Sequence, residues 1–233
     1  LSLQVRAIMQ KIFLIVITMI FLVSCKKIRA RPCPDCFIFY FKNPQPENDT
    51  ELDHFPVRFR GLYINKDSSF LIIKEDRMIY KYFGTYKMHK TEFDSIKKDY
   101  VMIGNQATNK ISKEKLLMHV QGDSIEFKET YLDTFFRLSY YNKLKRIDGQ
   151  LVLSTKDSIF WTTEIISLNS KTLKIKEIYF PDDLRKIDSI TAIKGEKLDS
   201  MSYLIKPTRT EFKKILKVKK IGTDQEYKKI LNN

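Results

Sequence analysis

All three cysteines of the chain, Cys25, Cys33 and Cys36, fall within twelve consecutive positions. A thiol can be acylated, oxidised to a disulfide or used as a metal ligand, and its neighbours decide which. Cys33-Pro34-Asp35-Cys36 is a C-x-x-C pair. In redox catalysis such a pair opens a helix, whose N-terminus lowers the thiol pKa. Here "FIFYF", Phe37 to Phe41, continues as a strand pattern instead. A structural zinc site takes about four ligands, and only His54 lies nearby. Cys33 and Cys36 therefore read as a local disulfide or a free pair in an oxidising compartment, with no metal and no cofactor.

Cys25 has a different setting. Before it, "IFLIVITMIFLV" (Ile12 to Val23) is apolar apart from Thr18. A spanning helix takes about 20 apolar residues, so this stretch fits the shorter core of a secretory signal, with Lys11 as its positive flank. Met9 is the expected start, because "MQKIFLIV" already forms a complete leading region. The apolar run ends in Leu22-Val23-Ser24-Cys25. That ending resembles the lipobox of bacterial lipoproteins.

The resemblance implies a diacylglycerol on the Cys25 thiol, signal cleavage between Ser24 and Cys25, and an acylated new amine. It implies one partner, a membrane reached through lipid on Cys25. One acyl chain holds only marginally, whereas two or three fix a protein firmly. Lys26 rather than Asp follows the cysteine, which is similar to the enterobacterial pattern for outer-membrane sorting. "KKIRAR" lacks the acidic cluster of surface-exported Bacteroidota lipoproteins. The expected location is thus the bacterial cell envelope, at the outer membrane and facing the periplasm.

Other motifs fall short of a catalytic constellation. "GDSI" at Gly122 resembles the nucleophile block of GDS-type esterases, but His54, His89 and His119 all precede Ser124, where that family places its histidine downstream. No G-x-S-x-G, Walker A loop, G-x-G-x-x-G or H-E-x-x-H occurs, which excludes the well-marked enzyme classes. Trp161 sits within a strand pattern and is expected in the core rather than as a sugar-stacking platform.

The formal charge is +14, and only Arg6 and Lys11 precede Cys25, so loss of the signal leaves +12. Such a balance attracts anionic surfaces, and an anionic envelope ligand is an expected partner. Lysines are spread along the whole length and no nucleic-acid-binding signature appears, so nucleic acid is not expected.

With 233 residues, abundant Phe and Tyr and only seven Gly, the chain can bury a β-rich core. Short alternating runs predict strands, among them "VRFRGLYI", "SFLII", "MIYKYF", "KLLMHV", "SIEFKETY", "LVLST", "IFWTTEIISL", "TLKIKEIYF", "SITAI" and "SYLIKP". Six Asp-Ser pairs read as turns at strand entries. "GLYINKDSSF" and "GQLVLSTKDSIF" look alike, as two similar β halves would, with spacing that differs by two residues. Short helices are expected around Glu92–Lys98 and Asp182–Ile187. In "PTRTEFKKILKVKKIG", Thr208 and Glu211 form a capping box, Gly222 can terminate the helix, and Phe212, Ile215, Leu216 and Ile221 make an apolar stripe.

The expected organisation is a cleaved signal (1–24), a lipid-anchored tether and loop (25–56), a β-rich domain (57–206) and a C-terminal helix packed on it (207–233). The fold class is mainly β, an antiparallel sandwich or barrel-like body with a C-terminal α-helix. The overall pattern resembles small uncharacterised lipoproteins of Bacteroidota. Two functions stay open. One is a non-catalytic binding or assembly module; "GLY" at Gly61 resembles the Gly-x-Trp start of lipocalin barrels, with Tyr63 in place of Trp. The other is an unmarked hydrolase of envelope glycans or peptides, for which two carboxylates must converge.

Overall fold

The computed structural model describes residues 33–231, and polar turns divide most of that length into strands. The first four strands are β1 (Ile38–Phe41), β2 (Gly61–Ile64), β3 (Phe70–Ile73) and β4 (Arg77–His89). Helix α1 (Lys90–Ile96) leads to β5 (Tyr100–Ile103), β6 (Gln106–Asn109), β7 (Lys115–Gln121) and β8 (Ser124–Arg137). Then come β9 (Asn142–Ile147), β10 (Gln150–Asp157), β11 (Phe160–Asn169) and β12 (Thr172–Glu177). Helix α2 (Pro181–Asp188), β13 (Glu196–Lys197), β14 (Ser202–Ile205), α3 (Arg209–Ile215) and β15 (Thr223–Leu231) complete the order. The protein is mainly β, and these strands form one mixed sheet that is not closed. Only β1 and β14 pair in parallel among the described strands.

The middle of the sheet runs β9-β10-β11-β12-β15-β2-β3-β4-β8. Leu144 of β9 and Phe136 of β8, from opposite ends of that order, share one core with Tyr63, Leu71 and Ile166. The sheet therefore curls round its own inner face. No ladder joins β8 to β9. Residues just ahead of the Val57–Phe59 turn bridge the gap: the Leu52 amide donates to the Leu144 carbonyl at 2.7 Å, and the Phe55 amide to the Glu75 carbonyl at 2.8 Å. We call this gap the seam.

Side chains alternate across the strands, so β10 and β11 carry a second core on their outer face. Val152 and Trp161 pack there against Phe41 of β1, Ile187 of α2 and Phe212 and Ile215 of α3. Burying each of these large side chains is worth roughly 1.5–3 kcal/mol. Trp161 is only 8% exposed, a core residue as expected. Phe212 and Ile215 are each 1% exposed, so the apolar stripe of α3 is spent on the body.

Strands β4 and β8, of 13 and 14 residues, outrun the body as a paired ribbon. Their far halves, with β5–β7, carry a third core made of Phe93, Ala107, Leu116, Ile125 and Phe127. Phe93 comes from α1, which covers one face of this distal lobe.

Several expectations are corrected in detail. Within "FIFYF" the strand β1 starts at Ile38, and the loop after it is tied to the body through the Leu52 and Phe55 amides. In "VRFRGLYI" the first three residues form a 3-10 turn after Pro56, and the strand starts at Gly61. "SITAI" forms no strand; the Thr191 hydroxyl turns back onto the Ile187 carbonyl at 3.1 Å and extends the end of α2. The late helix has the expected Thr208–Glu211 capping box but stops at Ile215. Residues 223–231 then insert as β15 between β12 and β2. Gly222 (φ +63°) makes the entry: a Cβ there would collide with the Glu177 carbonyl oxygen.

Both look-alike segments lie in hairpins, β2–β3 and β10–β11, and in each the serine of the Asp-Ser pair, Ser68 or Ser158, adopts φ +59°.

Candidate functional site

The seam opens into a cleft of about 190 Å³, lined by Glu51, Leu52, Asp53, Leu138, Ser139, Asn142, Lys143 and Leu144. One wall is the segment that crosses the seam. The other is the connection from β8 to β9.

Buried polar contacts hold the first wall. Lys145 points outward from β9 and is 6% exposed. Its ammonium donates to the carbonyls of Pro44 at 3.1 Å and Pro46 at 3.0 Å. Burial pushes the Lys145 pKa down, and the carboxylates of Glu51, Asp49 and Glu47 oppose that shift. The Gln45 amide donates to the Ser154 hydroxyl at 3.1 Å. Further along, the Arg209 guanidinium of α3 forks onto both oxygens of Asp49. These anchors leave Glu51 and Asp53 at the mouth of the cleft.

The second wall is a tight turn. The Tyr141 amide donates to the Ser139 hydroxyl at 3.2 Å, and the Asn142 side chain donates to the Arg137 carbonyl at 2.9 Å. The Lys156 amide donates to the Tyr141 carbonyl at 2.8 Å. The turn consumes its own polar groups and projects two aromatic rings: Tyr140 is 69% exposed and Tyr141 62%. The rings meet edge to face with centroids 5.2 Å apart. Lys156 and Lys143 approach the Tyr140 ring at 5.0 and 5.9 Å, which favours that orientation electrostatically.

Chemically, the cleft offers carboxylates, an ammonium, an amide and a hydroxyl beside two exposed ring edges and faces. Glu51 is already ion-paired to Lys143 at 2.8 Å. The Asp53 carboxylate contacts the neighbouring His54 ring, and its side chain is 91% exposed. Neither carboxylate is desolvated in the way that a general acid requires. The set suits hydrogen bonding and stacking with a small polar molecule.

Of the residues singled out in the sequence and described by the structure, only His54 borders the cleft. Ser24 and Cys25 fall outside the described residues. Cys33 and Cys36 are disulfide-bonded. His54 lies at the seam, His89 accepts from the Thr91 amide at 3.3 Å as the cap of α1, and His119 is exposed on β7. Ser124 stands opposite His89 in the β4–β8 register, but the His89 ring is taken up by Thr91. No group of three or more metal-ligating side chains occurs among the described residues, and none of their helices is long and apolar enough to cross a membrane. The inner face of the curled sheet, where a lipocalin-like cavity would lie, is filled by Phe55, Phe59 and Tyr63, each 0% exposed. Tyr63 donates its hydroxyl to the Phe59 carbonyl at 2.7 Å.

Sequence reasoning missed the cleft. Tyr140-Tyr141 was the signal available: two adjacent aromatics cannot both face one core in an extended chain.

Comparison with protein-family models, with curated proteins and with solved structures finds no match to this chain.

Proposed function

We propose that the protein is a lipid-anchored cell-envelope protein, held to the membrane through Cys25, whose body is a non-catalytic binding module. The seam cleft is its ligand site, and the ligand is a small polar, hydroxyl-rich molecule such as an envelope glycan fragment. One observation carries the binding reading: a polar cleft of about 190 Å³ flanked by Tyr140 and Tyr141, exposed rings on a self-satisfied turn. Aromatic faces stack on the C–H faces of sugars, while carboxylates and amides take the hydroxyls. A hydrolase would need two carboxylates free to exchange protons, and the pairing of Glu51 with Lys143 favours binding over catalysis.

The anchor is supported by the Leu22–Cys25 motif behind its apolar run. Intact mass of the protein taken from membranes tests it. A chain beginning at Cys25 with acyl chains supports the reading, and an unprocessed, unacylated mass overturns it. For the cleft, envelope glycan fragments are titrated into the protein by NMR while product formation is followed. Shifts at Tyr140 and Asn142 without turnover are expected. Turnover of the fragments would make it a hydrolase, and no shifts at the cleft would remove the site.

A further inference from the structure

The distal lobe has a second face that none of the described residues covers. Directly paired residues on neighbouring strands share a face. Val101, Thr108 and Lys115 form one cross-strand row, and Ile103, Gln106, Leu117 and Lys128 another. The face continues along β4 and β8 through Lys87, Phe83, Lys81 and Leu132. Helix α1 and its core lie on the opposite side, under Met102, Ala107 and Leu116.

This uncovered face is both apolar and basic. Ile103 is 70% exposed, Leu132 66%, Leu117 48% and Val101 46%. Lysines stand between them, and Lys128 lies 4.6 Å from the Phe83 ring centroid. Its acidic member is Glu126, within 3.7 Å of Lys87. A second copy of the chain would bring lysines against lysines. The exposed apolar groups are mainly branched aliphatics, which give bases nothing to stack on. Aliphatic side chains beneath a layer of ammonium groups match an anionic lipid surface, with apolar groups entering the interface and lysines meeting headgroups.

We propose that the outer face of the distal lobe rests on an anionic lipid surface. The inference relies on the lipid-anchored reading only to bring the body to a bilayer.

The test uses the acylated full chain in vesicles, with a polarity-sensitive fluorophore on a single introduced cysteine, Ile103→Cys. Asp94→Cys, exposed on α1 across the lobe, is the control. In phosphatidylglycerol vesicles the Ile103 probe is expected to shift to shorter wavelength. Spin-labelled lipid should quench it several-fold more than the Asp94 probe. The difference should vanish in phosphatidylcholine vesicles and in a Lys115→Glu/Lys128→Glu background. Equal behaviour of the two probes in anionic vesicles overturns the proposal. Concentration-dependent shielding of the Ile103 probe in detergent without vesicles assigns the face to self-association and also overturns it. Intact mass of the same sample reports the anchor separately. If no acyl chain is present, vesicles are added to the unanchored chain, where quenching at Ile103 keeps the face and its absence discards it.

Discussion

The ring of Tyr131 fills the space that a side chain on Gly84 would need. A Cβ built on Gly84 would lie 2.6 Å from Tyr131 Cε2. Tyr131 also stacks on Tyr82 across the ribbon, with centroids 5.3 Å apart and planes 18° apart. Its hydroxyl donates to Glu129, and this bond chiefly pushes its pKa up to about 12. Glu129 in turn shares a hydrogen bond with Glu114, which pushes Glu114 up and Glu129 down. The glycine thus lets an aromatic ladder lie on the stretch that joins the lobe to the body, as aromatic cover does for strand glycines generally. Gly84→Ala is expected to lift the ring away from Glu129. Ultraviolet titration should then show one tyrosine ionising at lower pH than in the parent. An unchanged titration would mean that the ring keeps its bond to Glu129 and has simply tilted.

Lys145→Met tests how the first wall of the cleft is held. The substitution preserves an apolar stem but leaves the Pro44 and Pro46 carbonyls without their donor. An unsatisfied buried polar group costs about 1–3 kcal/mol, and denaturant unfolding should show a loss of that order. Its pH dependence has a definite sign. Because burial lowers the pKa of Lys145 in the folded state, the unfolded chain binds more protons between that lowered value and 10.5. The Lys145 contribution to stability therefore rises with pH across that window. The difference in stability between parent and Lys145→Met should widen as pH climbs through it; a constant difference would show that the ammonium ionises alike in both states.

Strands whose residues alternate cleanly were readable from the chain, as in "TLKIKEIYF", and so were helix starts marked by a capping box. β15 was not. Residues 223–230, "TDQEYKKI", show one large core side chain, Tyr227, among mostly solvated ones, because the outer side of this sheet carries cross-strand ion pairs. Lys174 meets Glu226 at 2.5 Å and Lys176 meets Asp224 at 2.9 Å. A strand stabilised on one face by charge looks like a surface tail until its partners are known. The cleft was hidden for a related reason. Its walls, Glu51–Asp53 and Leu138–Leu144, lie some ninety residues apart in sequence and meet only because the sheet curls. The Asp-Ser turns at Ser68 and Ser158, by contrast, are local and fold as their neighbours dictate. Asp94-Ser95 instead lies inside α1, and Asp188-Ser189 ends α2 rather than entering a strand.

The cap of α3 gives an acid-limb prediction. Thr208 Oγ1 accepts from the Glu211 amide at 3.3 Å, and Glu211 accepts from the Thr208 amide at 2.8 Å. Glu211 also accepts from the Ala192 amide, tying the helix start to the chain after α2. These backbone bonds hold the Glu211 carboxyl below its usual 4.5. Its stabilisation is therefore complete above pH 4.5 and is lost as pH falls through the lowered folded value. Thr208→Ala should cost about 1 kcal/mol at neutral pH. Glu211→Gln should flatten the fall in melting temperature below pH 4.5. An acid limb identical to the parent's would show that Glu211 does not hold these bonds in solution.

Tyr140→Ala separates recognition from folding at the cleft. With 69% of Tyr140 exposed and the turn secured through Ser139, Asn142 and Lys156, removal of the ring should leave stability within about 0.5 kcal/mol of the parent. Stacking on an aromatic face is worth on the order of 1 kcal/mol, so affinity for a glycan fragment should fall several-fold. Lys143→Met removes the partner of Glu51 and exposes a free carboxylate to the cleft. Binding of an anionic fragment should weaken more than that of a neutral one. Calorimetric titration of both variants with a matched neutral and anionic pair reads these effects together. Equal affinity of parent and Tyr140→Ala for both fragments would mean that the ring takes no part in recognition.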